Sequence, residues 1–158
     1  MICNFQSLVK IPTWLNAKLV VKIVKVTKGE LKQKSDWELT VLVVSPSHIK
    51  KLNRLYRHKN KVTDVLSFSQ YEGLPLILPR QKQIYLGDII LCFSQIKRQA
   101  KIFKHSLRQE FSLLLVHGLL HLLGYEDKTQ NQYHKMAKIQ DSVLAKIYGE
   151  SNKINKKF

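Results

Sequence analysis

Residues 117–127 read His-Gly-Leu-Leu-His-Leu-Leu-Gly-Tyr-Glu-Asp, and this stretch decides how the rest of the chain is interpreted. In an α-helix, residues four apart lie about one turn apart on nearly the same face, so the side chains of His117 and His121 can reach one ion. Gly124 follows where a helix would end, because glycine readily adopts the left-handed conformation that reverses the chain. The reversal would bring Asp127 back over the two histidines. We therefore predict a metal site whose ligands are His117, His121 and Asp127.

The helix predicted around the two histidines is apolar on almost every side. From Phe111 to Leu123 the only ionisable side chains are those of His117 and His121, and a helix that is hydrophobic all round is buried. Buried imidazoles need polar partners or a bound cation. Histidines at this spacing also occur in cores without a metal, but a shared cation open to a cleft satisfies both rings. Ser106 and Gln109 form a capping-box pair, which predicts where this helix begins.

The ligand spacing also matches the pattern of metzincin proteases, with two differences. Gly118 stands where such proteases have the glutamate that acts as the general base. Asp127 stands where a third histidine is commoner, although carboxylate oxygen is also a zinc ligand. A metzincin-like metalloprotease is therefore an alternative interpretation, but it would lack the group that accepts the proton.

Three further blocks of sequence accompany the histidine stretch. They read Leu-Asn-Arg-Leu-Tyr-Arg-His-Lys at 52–59, Thr-Asp-Val-Leu-Ser-Phe at 63–68 and Leu-Gly-Asp-Ile-Ile at 86–90. Together with the histidine stretch they resemble the YbeY family of bacterial endoribonucleases, which act in ribosomal RNA maturation and ribosome quality control. The blocks lie in the family's order. The resemblance implies a zincin-like metal-binding helix, a metal role for His117 and His121, and RNA as the substrate.

One difference from the family concerns the third ligand. The family motif normally closes Gly-Tyr-Asp-His, with the histidine as a ligand, whereas Gly124 and Tyr125 are here followed by Glu126 and Asp127. The resemblance therefore gives Asp127 the position of a ligand but not its chemistry. His134 is a weaker alternative for the third ligand, because the pattern places it on the next helix and favours a surface position.

The chain is strongly basic. Its 158 residues include 27 Lys and Arg against 11 Asp and Glu, which gives a formal net charge of +16. A basic surface attracts polyanions, and the resemblance indicates RNA, in the form of ribosomal RNA and ribosomal subunits; DNA is not expected. A membrane surface is a rival partner. It requires an amphipathic helix with cations opposite exposed apolar residues, whereas the cations here are dispersed, so no membrane partner is expected.

Two groups of Lys and Arg residues, within residues 50–61 and 97–108, precede the Thr-Asp-Val-Leu-Ser-Phe block and the histidine helix, respectively. Given the resemblance, Arg57 is the catalytic candidate, because a guanidinium can hold two phosphate oxygens and neutralise the charge that builds on them. Lys59, Lys97 and Lys101 are candidate substrate-binding residues. Asp64 and Asp88, by contrast, are expected to form hydrogen bonds with backbone groups at strand ends.

Length and composition indicate one domain. With 44% hydrophobic residues, the chain can bury a single core, so we assign residues 1–149 to one domain and residues 150–158 to a basic, mobile tail. No apolar run reaches the length of a membrane span, and residues 1–10 lack the order of a secretion signal, which favours a cytoplasmic location. Cys3 and Cys92 are expected to be buried free thiols.

Periodicity and turn signals predict an α+β (α/β-like) fold, with a small mixed sheet packed by about five helices. Residues 70–83 should form a loop that lines the substrate groove. Ser94 is expected to cap a basic helix. Strands are predicted at 2–6, 37–43, 65–68 and 84–92, and helices at 14–28, 46–57, 94–104, 106–123 and 133–148.

The helix at 46–57 has a clear start signal. Ser45 can cap it and Pro46 occupies its first position, where the missing N–H is not needed. Its apolar spacing directs Ile49, Leu52 and Tyr56 toward the core.

Taken together, these features favour a zinc-dependent endoribonuclease that cleaves single-stranded or exposed RNA. Attack by the RNA 2′-hydroxyl and direct hydrolysis are both compatible with such a site. A non-catalytic RNA- or ribosome-binding protein with a structural ion is the main alternative. A closed four-ligand site would favour that alternative, and three ligands with an open position would favour an enzyme. An iron oxygenase with two histidines and one carboxylate is chemically compatible, but such sites usually collect their ligands from separate strands.

Overall fold

The computed structural model describes residues 1–72 and 82–149. These residues form a single-domain α+β fold in which five helices pack around a four-stranded mixed sheet, which confirms the predicted fold class. Most of the expected loop at 70–83 and all of the expected tail at 150–158 lie outside the described residues. Within the described ranges, no helix is both long enough and apolar enough to cross a bilayer.

The described part of the chain contains nine elements: β1 (Ile2–Ser7), α1 (Ala17–Glu30), β2 (Asp36–Val44), α2 (Pro46–Arg57), β3 (Val65–Ser69), β4 (Gln83–Cys92), α3 (Phe93–Ile102), α4 (Leu107–Leu122) and α5 (Gln130–Tyr148). The strand order in the sheet is β1-β2-β4-β3. β1, β2 and β4 are parallel, and β3 runs antiparallel to β4 at one edge. This edge strand lies beside the candidate site described below.

Helices pack on both faces of the sheet. On one face, α1 and α4 contact the strands and α5 packs across both helices, which encloses the main core. On the other face, α2 buries Ile49 against Leu66 of β3 and Ile90 of β4. α4 lies on β3 and β4, and every residue of it from Glu110 to Leu120 is buried. The prediction of a helix that is buried all round is thus confirmed.

Capping signals located the starts of α2 and α4 correctly. The hydroxyl of Ser45 accepts a hydrogen bond from the N–H of His48, and Pro46 occupies the first helical position. At α4, Ser106 and Gln109 form the complete capping box, in which each side chain accepts from the backbone N–H of the other residue. Both signals are local, so they can be recognised in the sequence without knowledge of the tertiary contacts.

The predicted cap of α3 is wrong. α3 begins at Phe93 with Cys92 at the N-cap, and no side chain caps it. β4 continues directly into the helix, so Ser94 lies inside the first turn instead of before it. Cys92 is buried and Cys3 is half-buried, and both are free thiols, so the cysteine prediction holds with less burial at Cys3 than expected.

α2 departs from the prediction at its last turn. Ile49 is fully buried and Leu52 is half-buried, as expected, but Tyr56 is 58% exposed. Asn53 is buried instead, and its side-chain amide donates to the carbonyl oxygen of Lys61, 2.8 Å away. The last turn of α2 thus uses a polar contact to hold the loop that follows, and leaves the tyrosine ring on the surface.

Candidate active site

Three side chains meet at the C-terminal end of α4. The Nε2 atoms of His117 and His121 lie 3.0 Å apart, and Oδ2 of Asp127 lies 3.9 Å from each of them. His117 is 8% exposed, His121 is half-buried and Asp127 is exposed. One side of the group is therefore in the core and the other faces solvent. The structure brings together the three residues that the sequence proposed as ligands.

The spacing of these atoms suits a shared metal ion. Ligands bound tetrahedrally to zinc at about 2.0–2.1 Å lie roughly 3.3 Å from one another. The separations of 3.0 Å and 3.9 Å in this group lie on either side of that value. Two imidazole nitrogens and one carboxylate oxygen form a donor set that zinc and several other divalent ions accept. The group can hold a metal ion.

Hydrogen bonds on the far side of each ring fix the direction of its Nε2 atom. Nδ1 of His121 lies 2.9 Å from the carbonyl oxygen of Tyr125, which can only accept, so the nitrogen is the donor. Nδ1 of His117 lies 3.0 Å from Oε1 of Gln140 and donates to it. Each neutral ring then has its proton on Nδ1 and its lone pair on Nε2, which is the arrangement typical of a metal-binding histidine.

Burial favours the neutral form of His117. It lowers the pKa of the imidazole below its ordinary value, and the neighbouring ring of His121 lowers that pKa further. The hydrogen bond to Gln140 and the charge of Asp127 act in the opposite direction, with smaller effects. A neutral imidazole is the form that binds a metal ion, so this position is prepared for a cation.

Asp127 reaches the histidines through the turn that ends α4. Gly124 has a φ of 83°, in the left-handed region that favours glycine. The N–H groups of Gly124 and Tyr125 donate to the carbonyl oxygens of His121 and Leu120, respectively, which closes the turn. The chain reversal predicted from Gly124 is confirmed, and it brings Asp127 beside the rings.

Gln140 is a residue of the site that the sequence analysis missed. It lies on α5 and is 3% exposed, on the same buried face as Met136 and Val143. A single polar residue on the apolar face of an amphipathic helix was a usable signal, because a buried amide needs a partner. Its partner is His117, so Gln140 is a positioning residue for the metal group.

Replacing Gln140 with leucine is expected to weaken metal binding about 10- to 100-fold, the usual cost of losing such an outer partner. Leucine has a similar volume but cannot accept the hydrogen bond from Nδ1 of His117. Titration of zinc against a chelating dye measures the affinity, and circular dichroism checks the fold. Gln140→Glu keeps an acceptor and should retain the affinity. An unchanged affinity in the leucine variant would remove Gln140 from the site.

The close packing around Gly118 leaves no room for the glutamate that metzincin proteases have at this position. A Cβ atom at this position would lie 2.9 Å from Cγ2 of Ile89 and 3.2 Å from Oγ of Ser67, closer than such atoms normally approach. α4 packs directly on β3 and β4 here, so position 118 faces the sheet. A glutamate at this position would displace the helix that presents the histidines, which disfavours the metalloprotease interpretation.

Gly118→Ala is expected to lower the free energy of unfolding by about 1–3 kcal/mol, the usual cost of overpacking a dense core, even though alanine is the better helix former. Urea denaturation measures the change. Gly29→Ala is the matched control, because a Cβ atom on this helical glycine meets nothing within 4 Å, and it should raise stability by about 0.5–1 kcal/mol. Equal shifts in the two variants would show that α4 does not approach the sheet so closely.

The ligand group opens into a cleft of about 740 Å³. The cationic side chains that line this cleft are those of Arg57, Lys59, Lys61 and Lys128. Lys128 is partly compensated, because its ammonium lies 2.8 Å from the carboxylate of Glu126. Three carboxylates, those of Glu72, Glu126 and Asp127, also line the cleft, and Glu72 is paired with Arg57. A polyanion that enters the cleft therefore meets positive charge mainly from Lys59 and Lys61.

The structure separates the predicted substrate-binding lysines into two sets. Lys59 lines the cleft, whereas Lys97 and Lys101 are exposed on α3 and do not line it. The ammonium of Lys97 lies 5.2 Å from the centre of the Phe93 ring. Any RNA contact with these two lysines must therefore be made outside the cleft.

Arg57 is held at the cleft by three contacts. Its Nη1 atom lies 2.7 Å from Oε1 of Glu72, and its Nη2 atom lies 2.9 Å from the carbonyl oxygen of Ser67. Its Cζ atom lies 5.7 Å from the centre of the Phe68 ring. Because each terminal nitrogen of a guanidinium has two N–H groups, Arg57 retains donors for a phosphate oxygen.

Three other ionisable residues discussed in the sequence analysis are not among the potential metal ligands His117, His121 and Asp127. One carboxylate oxygen of Asp64 accepts from the N–H of Val65, as expected of a carboxylate at the start of a strand. Asp88 accepts from the hydroxyl of Tyr85, so its partner is a side chain instead of the expected backbone. His134 is exposed on α5 and is not part of the group, which agrees with its predicted surface position.

The chain is similar to known proteins along most of its length. A family model described as Endoribonuclease YbeY matches residues 1–148. Endoribonuclease YbeY of Phytoplasma australiense is 39% identical over 120 residues, which cover 76% of this chain and 81% of that protein. Endoribonuclease YbeY of Staphylococcus aureus strain JH9 is 38% identical over 133 residues, which cover 80% of this chain and 83% of that protein.

The fold is similar to that of a solved structure. The solution structure of a protein from Thermotoga maritima aligns with a TM-score of 0.59 and 25% sequence identity, covering 98% of this chain and 97% of that chain. The similarity in fold thus covers almost the whole length of both chains. On the strength of the family match, the chain belongs to the YbeY family of endoribonucleases.

Proposed function

We propose that this chain is a zinc-dependent endoribonuclease that cleaves single-stranded RNA during the maturation of ribosomal RNA in the cytoplasm. The proposal rests on one observation: the three potential metal ligands and Arg57 line the same cleft. Membership of an endoribonuclease family supplies the reaction class. The proposed partners are ribosomal RNA and ribosomal subunits. Residues 1–149 form the proposed catalytic domain, and residues 150–158 form a basic extension of it.

The residues of the cleft have separate roles in this reaction. A zinc ion, when bound, polarises a phosphoryl oxygen and makes a nearby hydroxyl group or water more acidic. His117, His121 and Asp127, which line the cleft, would hold the ion. Arg57 donates hydrogen bonds to the non-bridging phosphate oxygens and offsets the negative charge that builds on them. Lys59 binds a neighbouring phosphate and so orients the strand.

The other interpretations of this metal group have less support. A structural ion usually has four protein ligands, whereas the group found among the described residues has three and opens into a cleft. An iron oxygenase would use the same three donors. Two of the lining cations, Arg57 and Lys128, are paired with the carboxylates of Glu72 and Glu126. The chemistry of an oxygenase gives no reason for the further positive charge of Lys59 and Lys61 along the cleft, whereas a phosphodiester substrate does.

Cleavage of a defined RNA before and after metal removal tests the proposal. We expect the purified protein to contain zinc and to cut single-stranded RNA at internal positions. Chelation should abolish cleavage and added zinc should restore it, because the ion supplies the polarisation of the phosphate. The same sequence as DNA is the control and should be cut far more slowly. Full activity without metal, or no cleavage by the zinc-loaded protein, would contradict the proposal.

Changing both Lys97 and Lys101 to alanine is expected to weaken RNA binding and to flatten its salt dependence. The slope of log K against log salt concentration should fall by about 1.4, which corresponds to two lost phosphate contacts at about 0.7 each for single strands. Turnover at saturating RNA should not change, since neither lysine lines the cleft.

The matched control changes Lys18 and Lys22, which are exposed on α1 with the same spacing. This control should leave the slope unaltered. If the variant with both Lys97 and Lys101 changed to alanine kept the wild-type salt dependence of binding, α3 would not contact the RNA.

A further inference from the structure

An exposed aromatic ring lies on the last turn of α2, one residue before Arg57; Arg57 lines the cleft, whereas Tyr56 itself does not. Tyr56 is 58% exposed, although its spacing along the helix predicted an inward position. Its ring meets the ring of Phe68 edge-on, with centroids 5.2 Å apart and planes at 66°. Such a contact favours one orientation of the tyrosine ring, while more than half of the residue's surface is exposed to solvent.

Phe68 connects this ring to Arg57. The guanidinium carbon of Arg57 lies 5.7 Å from the centre of the Phe68 ring, so Arg57 and Tyr56 both contact one phenyl group. Arg57 also lines the cleft together with the metal ligands. Tyr56, Phe68 and Arg57 thus form one group, here called the aromatic cluster, in which a phosphate-binding cation lies next to an exposed ring.

We propose that Tyr56 is a nucleobase subsite, on which a base of the RNA strand stacks while Arg57 holds the adjoining phosphate. The inference rests on the proposed function, and it adds a contact that neither the metal ligands nor the lysines provide. Every nucleobase has a π-face, so stacking on an aromatic side chain tolerates any sequence. A base inside a duplex is already stacked on both sides, so this subsite selects single-stranded RNA.

The charge around the aromatic cluster favours a nucleotide over an apolar protein segment as its occupant. α2 contains no acidic residue, and its exposed surface carries Lys51 and Arg54 in addition to Arg57. The nearby carboxylate of Glu72 is paired with Arg57. A strand of phosphates matches this cationic surface, and its bases supply the flat apolar faces that suit a tyrosine ring.

Steady-state cleavage of a short single-stranded RNA by Tyr56→Ala tests the subsite. KM should rise about 5- to 150-fold, the factor that corresponds to one stacked base at about 1–3 kcal/mol, while kcat changes little. Tyr56→Phe keeps the π-face and should retain the wild-type KM. Leu55→Ala is the matched control, because Leu55 is 60% exposed on the same turn but has no aromatic ring. Thermal denaturation checks that the variants are folded. If Tyr56→Ala is unstable, Tyr56→Leu replaces it in the test, because leucine keeps an apolar contact with Phe68 but has no aromatic ring.

Abasic nucleotides placed one at a time along the RNA identify the stacked base. At one position relative to the cleaved bond, removal of the base should raise the KM of the wild-type protein and should erase the difference in KM between wild type and Tyr56→Ala.

An unchanged KM in both Tyr56→Ala and Tyr56→Leu would overturn the inference, as would an equal rise in KM at every abasic position. An equal defect in Leu55→Ala would indicate an apolar docking patch instead of a base subsite. Absence of cleavage by the wild-type protein would overturn both this inference and the proposed function, whereas normal wild-type cleavage with an unaffected Tyr56→Ala overturns the subsite alone.

Discussion

Alanine in place of His117 or His121 is expected to remove most of the bound zinc and to slow RNA cleavage by more than about 100-fold. Loss of an outer partner of a ligand already costs up to about that factor, and loss of the ligand itself costs more. The two Nε2 atoms lie 3.0 Å apart, so both rings are placed to bind one ion. A site with two remaining ligands holds zinc poorly. Elemental analysis of the purified variants and initial rates of cleavage measure the two effects.

The two histidine variants differ in how they affect folding. His117 is almost fully buried, so the His117→Ala protein loses stability through a cavity as well as losing metal. His121 is only half-buried, so the effect of lost metal can be measured in His121→Ala with less disturbance of the fold. His134→Ala removes an exposed imidazole from α5 and should keep both metal and activity. A folded His121→Ala protein with stoichiometric zinc would place the metal elsewhere on the chain.

The relative placement of the three potential ligands could be predicted because it is local, whereas the contact of His117 with Gln140 on α5 is not. His117 and His121 need only the helical period, and Asp127 needs only the reversal at Gly124, which has a φ of 83°. The capping box at Ser106 located the start of the same helix correctly. Local geometry of this kind does not depend on how the strands pair, so the sequence encodes it directly.

The cleft around the group could not be predicted in the same way. Arg57 reaches it from α2 through contacts with Ser67 and Glu72, which come from β3 and the residues after it. Lys59 was proposed together with Lys97 and Lys101, and no local pattern distinguishes Lys59, which lines the cleft, from the other two, which do not. These positions depend on the strand order β1-β2-β4-β3, which is set by pairings between distant segments.

Two local predictions failed because tertiary structure overrode them. The spacing of Tyr56 from Leu52 directs it inward on a helix that is covered along its whole length, but the last turn of α2 buries Asn53 instead. Ser94 is a good capping residue, yet β4 passes into α3 without a connecting loop and leaves no position for it to cap. The residue misplaced at α2 is also the one that the surrounding charges and rings suggest for substrate binding.

Asp127→Ala is expected to lose metal about as severely as the histidine variants, because it removes the carboxylate that lies 3.9 Å from both Nε2 atoms. Asp127→His, which restores the family's usual third ligand, should keep the metal. An imidazole is neutral where a carboxylate is anionic, so more of the ion's positive charge remains uncompensated. Groups beside the ion then lose protons more easily, and the pH at which cleavage rises should fall in Asp127→His relative to wild type.

The direction of that pH shift is a stricter test than the rate itself. The histidine and aspartate side chains differ in reach, so Asp127→His is expected to lose some rate through imperfect geometry. A misplaced ligand lowers the rate at every pH, whereas a change in ligand charge moves the profile along the pH axis. Glu126→Ala is the matched control, because it removes a neighbouring exposed carboxylate that pairs with Lys128, and it should leave the profile in place. If Asp127→Ala retained full metal and an unchanged profile, Asp127 would be a surface residue after the helix cap and not the third ligand.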